Sequence, residues 1–301
     1  MLRSAKVELR QNPSTRHVTC LGHRWVIKVG SSVLTRDDGQ PDRVAICRGL
    51  VFQIAALREQ GVEIVLVSSG SVSVGQGHLR ERAGDPGTDA VVRRVAASLG
   101  QAALMRVFQE SFEACETFCG QLLLTSADLS GRHAQRRLRR SLGTLLTMGA
   151  VPIVNENDAT THAGNGIGNN DLLAAHVARA WRADLLVLLT DQGGLYTADP
   201  RRDALARLVE VCHGNDPRIL AMAGGDTGVH GTGGMATKIQ AAILAGGRGI
   251  PTRIAAGRQS HVLLRIRRGE RVGTWVLPPA TWSLGQRLGL PALPQPAYQW
   301  A

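Results

Sequence analysis

Five short apolar runs, each stopped by small polar residues, constrain this chain more than any other feature. They are Trp25–Gly30, Glu63–Val67, Gln121–Thr125, Val151–Val154 and Asp184–Thr190. Runs this short are buried strands rather than membrane spans, which need about 20 apolar residues. Between the first two, Val44, Leu50, Val51, Ile54, Ala55 and Leu57 recur with helical spacing, and Gly61 ends the pattern. Strand, helix and strand in about 45 residues make a βαβ unit, hence an α/β chain with a mainly parallel sheet. Ligands of such sheets gather at the carboxyl ends of the strands.

The rest of the chain fits that frame. Helices are predicted over 90–114, over an arginine-rich segment with Arg132, Arg136, Arg137, Arg139 and Arg140, over 172–182, and from the Gly231–Lys238 stretch to about Ala245. Ile250–Ala256 and Val272–Leu277 read as the last strands. Residues 1–24 lack periodicity and read as a flexible extension, 25–279 as one domain, and 280–301 as an irregular tail.

The chemistry-bearing residues lie just beyond the strands. Gly30-Ser31 and Ser69-Gly70 are small-residue turns whose backbone N–H groups suit anions. Val154 runs into Asn155-Glu156-Asn157-Asp158, four polar side chains that are costly to pack unless they line a cleft; an Asx-type turn is the plainer reading. Thr190-Asp191 closes the most apolar strand, and Asn170-Asp171 opens a helix, where helix capping is the plainer role for Asp171. Gly231-Thr232-Gly233-Gly234-Met235-Ala236-Thr237-Lys238 lacks the spacing of a P-loop.

Lysine usage sharpens this. The chain has 35 lysines and arginines, yet lysine occurs only at positions 6, 28 and 238. Lys28 sits inside an apolar run and needs an anionic partner; Lys238 ends the glycine-rich stretch. Arginine is a planar fork and lysine a compact point charge, so these two sites call for point charges. Both are expected to converge on Asp171.

Together VIKVGSS (26–32), VSSGSVSVG (67–75), GQLLLTSADL (120–129), VPIVNENDA (151–159), LLTDQGGLYTADPR (188–201) and GTGGMATK (231–238) resemble the amino-acid kinase family. The resemblance spans about residues 25–278 and implies a three-layer αβα sandwich with a mainly parallel central sheet. It implies transfer of the ATP γ-phosphoryl group, with Mg²⁺, to the side-chain carboxylate of L-glutamate, the first step of proline biosynthesis. Lys28, Asp171 and Lys238 match the family's catalytic residues. Ser69, Gly70, Asn155, Asp158 and Asn170 match the amino-acid side. Lys28, Gly30, Ser31, Thr190, Asp191, Gly231, Thr232, Gly233, Gly234, Met235 and Lys238 match the ATP side. No side chain is assigned as a metal ligand. The family also implies proline as a feedback inhibitor, a dimer or tetramer, and a cytoplasmic location.

The chain departs from the family at Gly168-Asn169-Asn170-Asp171-Leu172, where Gly-Asp-Asn-Asp-Asn is common. Too few residues follow the domain for the PUA domain that many bacterial members carry. Alternatives are a relative acting on a glutamate analogue or another acidic amino acid, and a non-catalytic regulatory homologue. A formal charge of +11 also raises a nucleic-acid binder, but no nucleic-acid motif accompanies it and none is expected as a partner. The five cysteines form no CxxC pair and fit a reducing compartment. No membrane association is expected.

Overall fold

Alternate residues of the apolar runs face opposite sides of one sheet, and both sides are covered. The computed structural model describes residues 21–34, 43–84, 87, 89–161, 166–167, 169–223 and 234–279. Its strands are β1 (Arg24–Val29), β2 (Glu63–Ser68), β3 (Phe118–Leu124), β4 (Ala150–Glu156), β5 (Leu185–Thr190), β6 (Val211–His213), β7 (Thr252–Ala256) and β8 (Thr274–Leu277). Its helices are α1 (Arg43–Glu59), α2 (Ser71–Ala83), α3 (Ala90–Glu113), α4 (Ser126–Leu129), α5 (Gly131–Thr147), α6 (Asn170–Trp181), α7 (Pro217–Met222), α8 (Met235–Gly246) and α9 (Val262–Arg267).

The strands form a single sheet in the order β3-β4-β2-β1-β5-β7-β8-β6. The pairs from β3 across to β7 are parallel; β8 runs antiparallel to β7, and β6 runs parallel to β8. On one face Trp25, Ile27, Ile64, Leu66, Val187 and Leu189 pack with α1, α3 and α9. On the other Val26, Val65, Val67, Leu186 and Leu188 pack with α5, α6 and α8. A sheet buried on both sides needs apolar residues at every position, which is why the runs read as continuous rather than alternating. The resulting three-layer αβα arrangement is the expected one.

Period-two alternation has a direct consequence for the site. Lys28 shares its face with Val26, so it leaves β1 toward α6 and α8. The sheet order reverses beside β1, whose two neighbours are β2 and β5. A crevice opens outside the carboxyl ends of strands at such a point.

Several elements had no counterpart in the sequence expectations: α2, β6, α7 and α9. The α2 helix packs on α3 by glycine at both contact points. A Cβ at Gly75 would lie 1.8 Å from the Ala96 carbonyl oxygen, and one at Gly100 would lie 1.8 Å from that of Ser71. This close approach brings Ser71 and Gln101 to the same buried corner. Residues 21–24, expected in the extension, belong to the fold: Leu21 is buried and its carbonyl accepts the Trp25 indole N–H at 3.2 Å. Most of the expected extension (1–20) and the whole expected tail (280–301) lie outside the described residues, as do Gly231, Thr232 and Gly233. No helix among the described residues is long and apolar enough to cross a membrane.

Candidate active site

Asp171 is fully buried, and three side chains from two other elements meet it. Lys28 Nζ of β1 lies 2.6 Å from Oδ1, and Lys238 Nζ of α8 lies 3.1 Å from Oδ2. The Thr237 hydroxyl donates to Oδ2 at 3.1 Å. Both lysines are themselves buried, 5% and 4% exposed. The expected convergence is therefore present, and Thr237 joins it as an unexpected partner.

Asp171 does not cap its helix. That role falls to Asn169, whose side-chain oxygen accepts the backbone N–H groups of Asp171 (2.6 Å) and Leu172 (3.3 Å). The division frees the Asp171 carboxylate for the lysines. It also gives Asn169 a structural reason, since Asn and Asp cap equally well. Leu172 packs against the apolar cluster beneath α6 rather than lining the cleft.

The electrostatics are those of a buried, over-determined trio. Burial pushes the Asp171 carboxyl up, but Lys28 and Lys238 outweigh it and hold the group below the usual carboxylate range. Burial lowers the Lys28 ammonium from the ordinary lysine value; Asp171 opposes that and Lys238 adds to it. One carboxylate between two ammonium groups leaves a net positive charge aimed into the cleft.

That cleft encloses about 460 Å³. Lys28, Gly30, Ser31, Leu189, Thr190 and Lys238 line one part; Ser69, Gly70, Ser71, Glu156, Asp158, Asn169 and Asn170 line another. Gly70 adopts φ +105°, a conformation that L side chains rarely enter, at the turn from β2 into α2. Asp191 does not line the cleft; its carboxylate accepts the Thr190 hydroxyl at 3.0 Å. Gly234 and Met235 lie at the N-terminal end of α8.

A buried amide network organises the second part. The Asn170 Nδ2 group faces three acceptors, Ser68 O (3.0 Å), Ser69 Oγ (2.9 Å) and Asn155 Oδ1 (2.9 Å). Asn155 in turn donates to Gln101 Oε1 (2.8 Å) and Ser71 Oγ (3.3 Å). The Ser71 hydroxyl reaches Asp158 at 3.5 Å. Three atoms are left over: the Gln101 side-chain nitrogen behind Asn155 and, nearer the cleft, the Asn170 side-chain oxygen and the Asn169 side-chain nitrogen are buried without a hydrogen-bond partner. A lone acceptor and a lone donor on adjacent residues at one cleft suit a ligand that brings one of each.

Both carboxylates here are raised by burial. For Asp158, Arg93 pulls the other way, with the Ser71 hydroxyl; for Glu156, the Ile167 N–H lowers it while Asp158 adds to the rise. Ser71, Gln101, Arg93 and Thr237 are the residues that sequence reasoning missed as site components. Thr237 adjoins Lys238 in the glycine-rich motif. Gln101 and Arg93 lie on a helix with no local sign of their role, because only the α2–α3 contact brings that helix to the cleft.

Comparison with known proteins agrees with this geometry. A family model described as the amino acid kinase family matches residues 23–256. The glutamate 5-kinase of Stutzerimonas stutzeri (strain A1501) is 43% identical over 255 residues, covering 85% of this chain and 68% of that protein. The glutamate 5-kinase of Marinomonas sp. (strain MWYL1) is 44% identical over 257 residues, 85% of this chain and 67% of its own length. Among solved structures, T. acidophilum isopentenyl phosphate kinase aligns with TM-score 0.60 at 17% identity, over 84% of this chain and 99% of that one. Carbamate kinase from Giardia lamblia bound to AMP-PNP aligns with TM-score 0.60 at 15% identity, over 85% and 98%. At these identities the structural likenesses establish the fold.

Proposed function

The chain belongs to the amino acid kinase family, and we propose that it transfers the γ-phosphoryl group of ATP to the side-chain carboxylate of L-glutamate, the first step of proline biosynthesis. The observation that carries this reading is the buried trio of Lys28, Asp171 and Lys238 at the crevice beside β1. The 43–44% identical glutamate 5-kinases supply the substrate.

The chemistry suits the residues. A glutamate side chain has a reference pKa of about 4.3, so the nucleophile is already ionised at neutral pH and needs no general base. The remaining task is to bring an anion to a polyanion. Lys28 and Lys238 supply positive point charge to the oxygens of the transferring group, where charge is greatest in the transition state. Asp171 holds both lysines in place and opposes the effect of burial on Lys28. ATP fits the part of the cleft formed by Lys28, Gly30, Ser31, Thr190 and Lys238, with Gly234 and Met235 at the start of α8 and Asp191 steadying Thr190. Mg²⁺ bound to its phosphates would neutralise their charge.

Glutamate fits the amide network. Its α-ammonium would donate to the lone Asn170 oxygen and to Asp158, and its α-carboxylate would accept from the lone Asn169 nitrogen. Ser69, Gly70 and Asn155 hold these groups in place. Because Asn169 caps α6 and Leu172 packs inward, the two departures from the family pattern leave room for unmodified glutamate. We further propose feedback inhibition by proline, a homo-oligomer, and a cytoplasmic setting, to which the thiols of Cys115, Cys119 and Cys212, outside any disulfide, are suited.

The test is ADP release by the purified chain with Mg-ATP and L-glutamate, the acyl phosphate being trapped with hydroxylamine. Glutamyl hydroxamate from free glutamate, and little from N-acetylglutamate or aspartate, is expected. Product only from an analogue would overturn the substrate assignment. No product from folded, ATP-binding protein would point to a regulatory homologue.

A further inference from the structure

The arginine cluster on α5 is not part of the catalytic cleft. Arg132, Arg136 and Arg139 of α5 meet Arg179 and Arg182 from the end of α6 and Arg248 from beyond α8 around a separate cleft of about 500 Å³. Only Gln135 and Ile250 complete its lining, and nothing acidic lines it. Among the described residues no carboxylate pairs with Arg132, Arg136, Arg139, Arg179 or Arg182.

A solvated helix face would splay its arginines into water. Here they converge from three elements on one concavity. Arg139 and Arg179 are half-buried, and the other four are exposed. Arg139 Nε donates to the carbonyl of Ala180 at 2.7 Å, which satisfies one carbonyl at the end of α6 and fixes the guanidinium. Arg179 Nε is buried without a hydrogen-bond partner. Burial lowers both guanidinium groups from the ordinary arginine value; Arg182, Arg24 and Arg136 add to this for Arg139, and Arg248 for Arg179. Arginine nonetheless stays protonated in proteins, so an anion entering the cleft would offset the repulsion between these groups.

We propose that this cleft is a second ligand site, which binds a compact polyphosphate group, free or carried by a nucleotide. The planar fork of arginine matches phosphate oxygens two at a time. The volume falls within the range of roughly 300–1,000 Å³ usual for small-molecule pockets. A nucleic-acid strand would call for an extended groove with aromatic stacking platforms, and no aromatic residue lines this cleft.

The position gives the site a consequence. The α6 helix carries Asp171 at its first turn and Arg179 near its last, and Arg182 follows it directly. The α8 helix carries Lys238, and Arg248 lies just beyond its end. The two helices pack on each other. An anion drawing these arginines together therefore bears on both helices that hold the catalytic charges, and would change turnover in the other cleft. Binding itself does not depend on which reaction that cleft performs.

The test is calorimetric titration of the full chain with inorganic tripolyphosphate and, separately, a nucleoside triphosphate. Wild type is compared with Arg136→Gln/Arg182→Gln, both exposed and outside the catalytic cleft. Arg201→Gln/Arg202→Gln removes equal charge from another exposed loop as a control. Expected is one binding event per chain weakened at least about tenfold in the first variant and by less than about twofold in the control. Loss with either probe supports the site. Should the double variant fail to fold, Arg132→Gln gives the same readout. Identical isotherms, an equal loss in the control (a diffuse positive field), or no loss of any event overturns the proposal. So does a single-stranded oligonucleotide that binds this face when tripolyphosphate does not.

Discussion

The two ends of α6 treat positive charge in opposite ways. At its first turn two lysines share one aspartate, all three buried, with every charge in contact with its opposite. Beyond its last turn, arginines from three elements face one another across an open cleft with no acid among the residues lining it. The first arrangement is internally paired, so it can be desolvated and rigid before any ligand arrives. The second has no acid in its lining, so it stays largely exposed and is open to a charge partner from outside. Residue type follows from this: point-charge lysines where the protein supplies the partner, guanidinium forks where an anion would. Burial is tolerated where charge is balanced and resisted where it is not.

The largest expected effect comes from making the first end resemble the second. Asp171→Ala leaves two buried ammonium groups unpaired and should cost about 3–5 kcal/mol of stability, measured by denaturant unfolding, besides abolishing turnover. Lowering the pH should do the same reversibly. The folded Asp171 carboxyl titrates below its unfolded value, so its contribution is complete above the usual carboxylate range. It is lost as pH falls through the depressed folded value. The gap in thermal midpoint between wild type and Asp171→Asn should therefore shrink as pH drops from about 7 to about 3; a constant gap would mean that the carboxylate charge is not what stabilises.

Next in size, Lys28→Ala and Lys238→Ala should each lower kcat by about 10²–10³, as the loss of an electrostatic donor does. Lys28→Arg should not restore it, because the 2.6 Å buried contact leaves no space for a longer fork. Near-normal steady-state turnover in either alanine variant would remove that lysine from the proposed mechanism. A smaller and more selective effect is expected in the amide network. Asn170→Ala should raise KM for glutamate about tenfold or more while leaving KM for ATP near wild type. If both constants rise together, the two parts of the cleft are not separable.

Smallest, Asn169→Ala should cost about 1 kcal/mol, the value of a helix N-cap. Arg136→Gln/Arg182→Gln should change stability by less than about 0.5 kcal/mol, because exposed, unpaired charges are removed. A substantial loss there would mean that the arginines hold the fold together, and would erase the contrast between the two ends.

Much of this was legible along the chain. The buried strands announced themselves because a strand covered on both faces is apolar at every position, and Lys28 stood out as the exception. Short local signals fared worse. The β6 strand has three residues, α7 and α9 six each, and α2 carries glycines at Gly75 and Gly77 where a helix would be doubted. Gly75 makes sense only beside α3. Helix capping was the plainer reading of Asp171 along the chain, and it fails because Asn169 takes the capping role.

By itself, the sequence determined the alternation of strand and helix, the small polar turns at strand ends, and the choice of lysine at two places in a chain of arginines. Each is a local property, set by solvation and backbone sterics within a few residues. Only the tertiary structure decided which side chains meet: Gln101 with Asn155, Arg93 with Asp158, Thr237 with Asp171, and the arginines of three elements with one another. Those contacts depend on strand order and helix packing, and residues far apart in the chain carry no local signature of the neighbours that burial will give them.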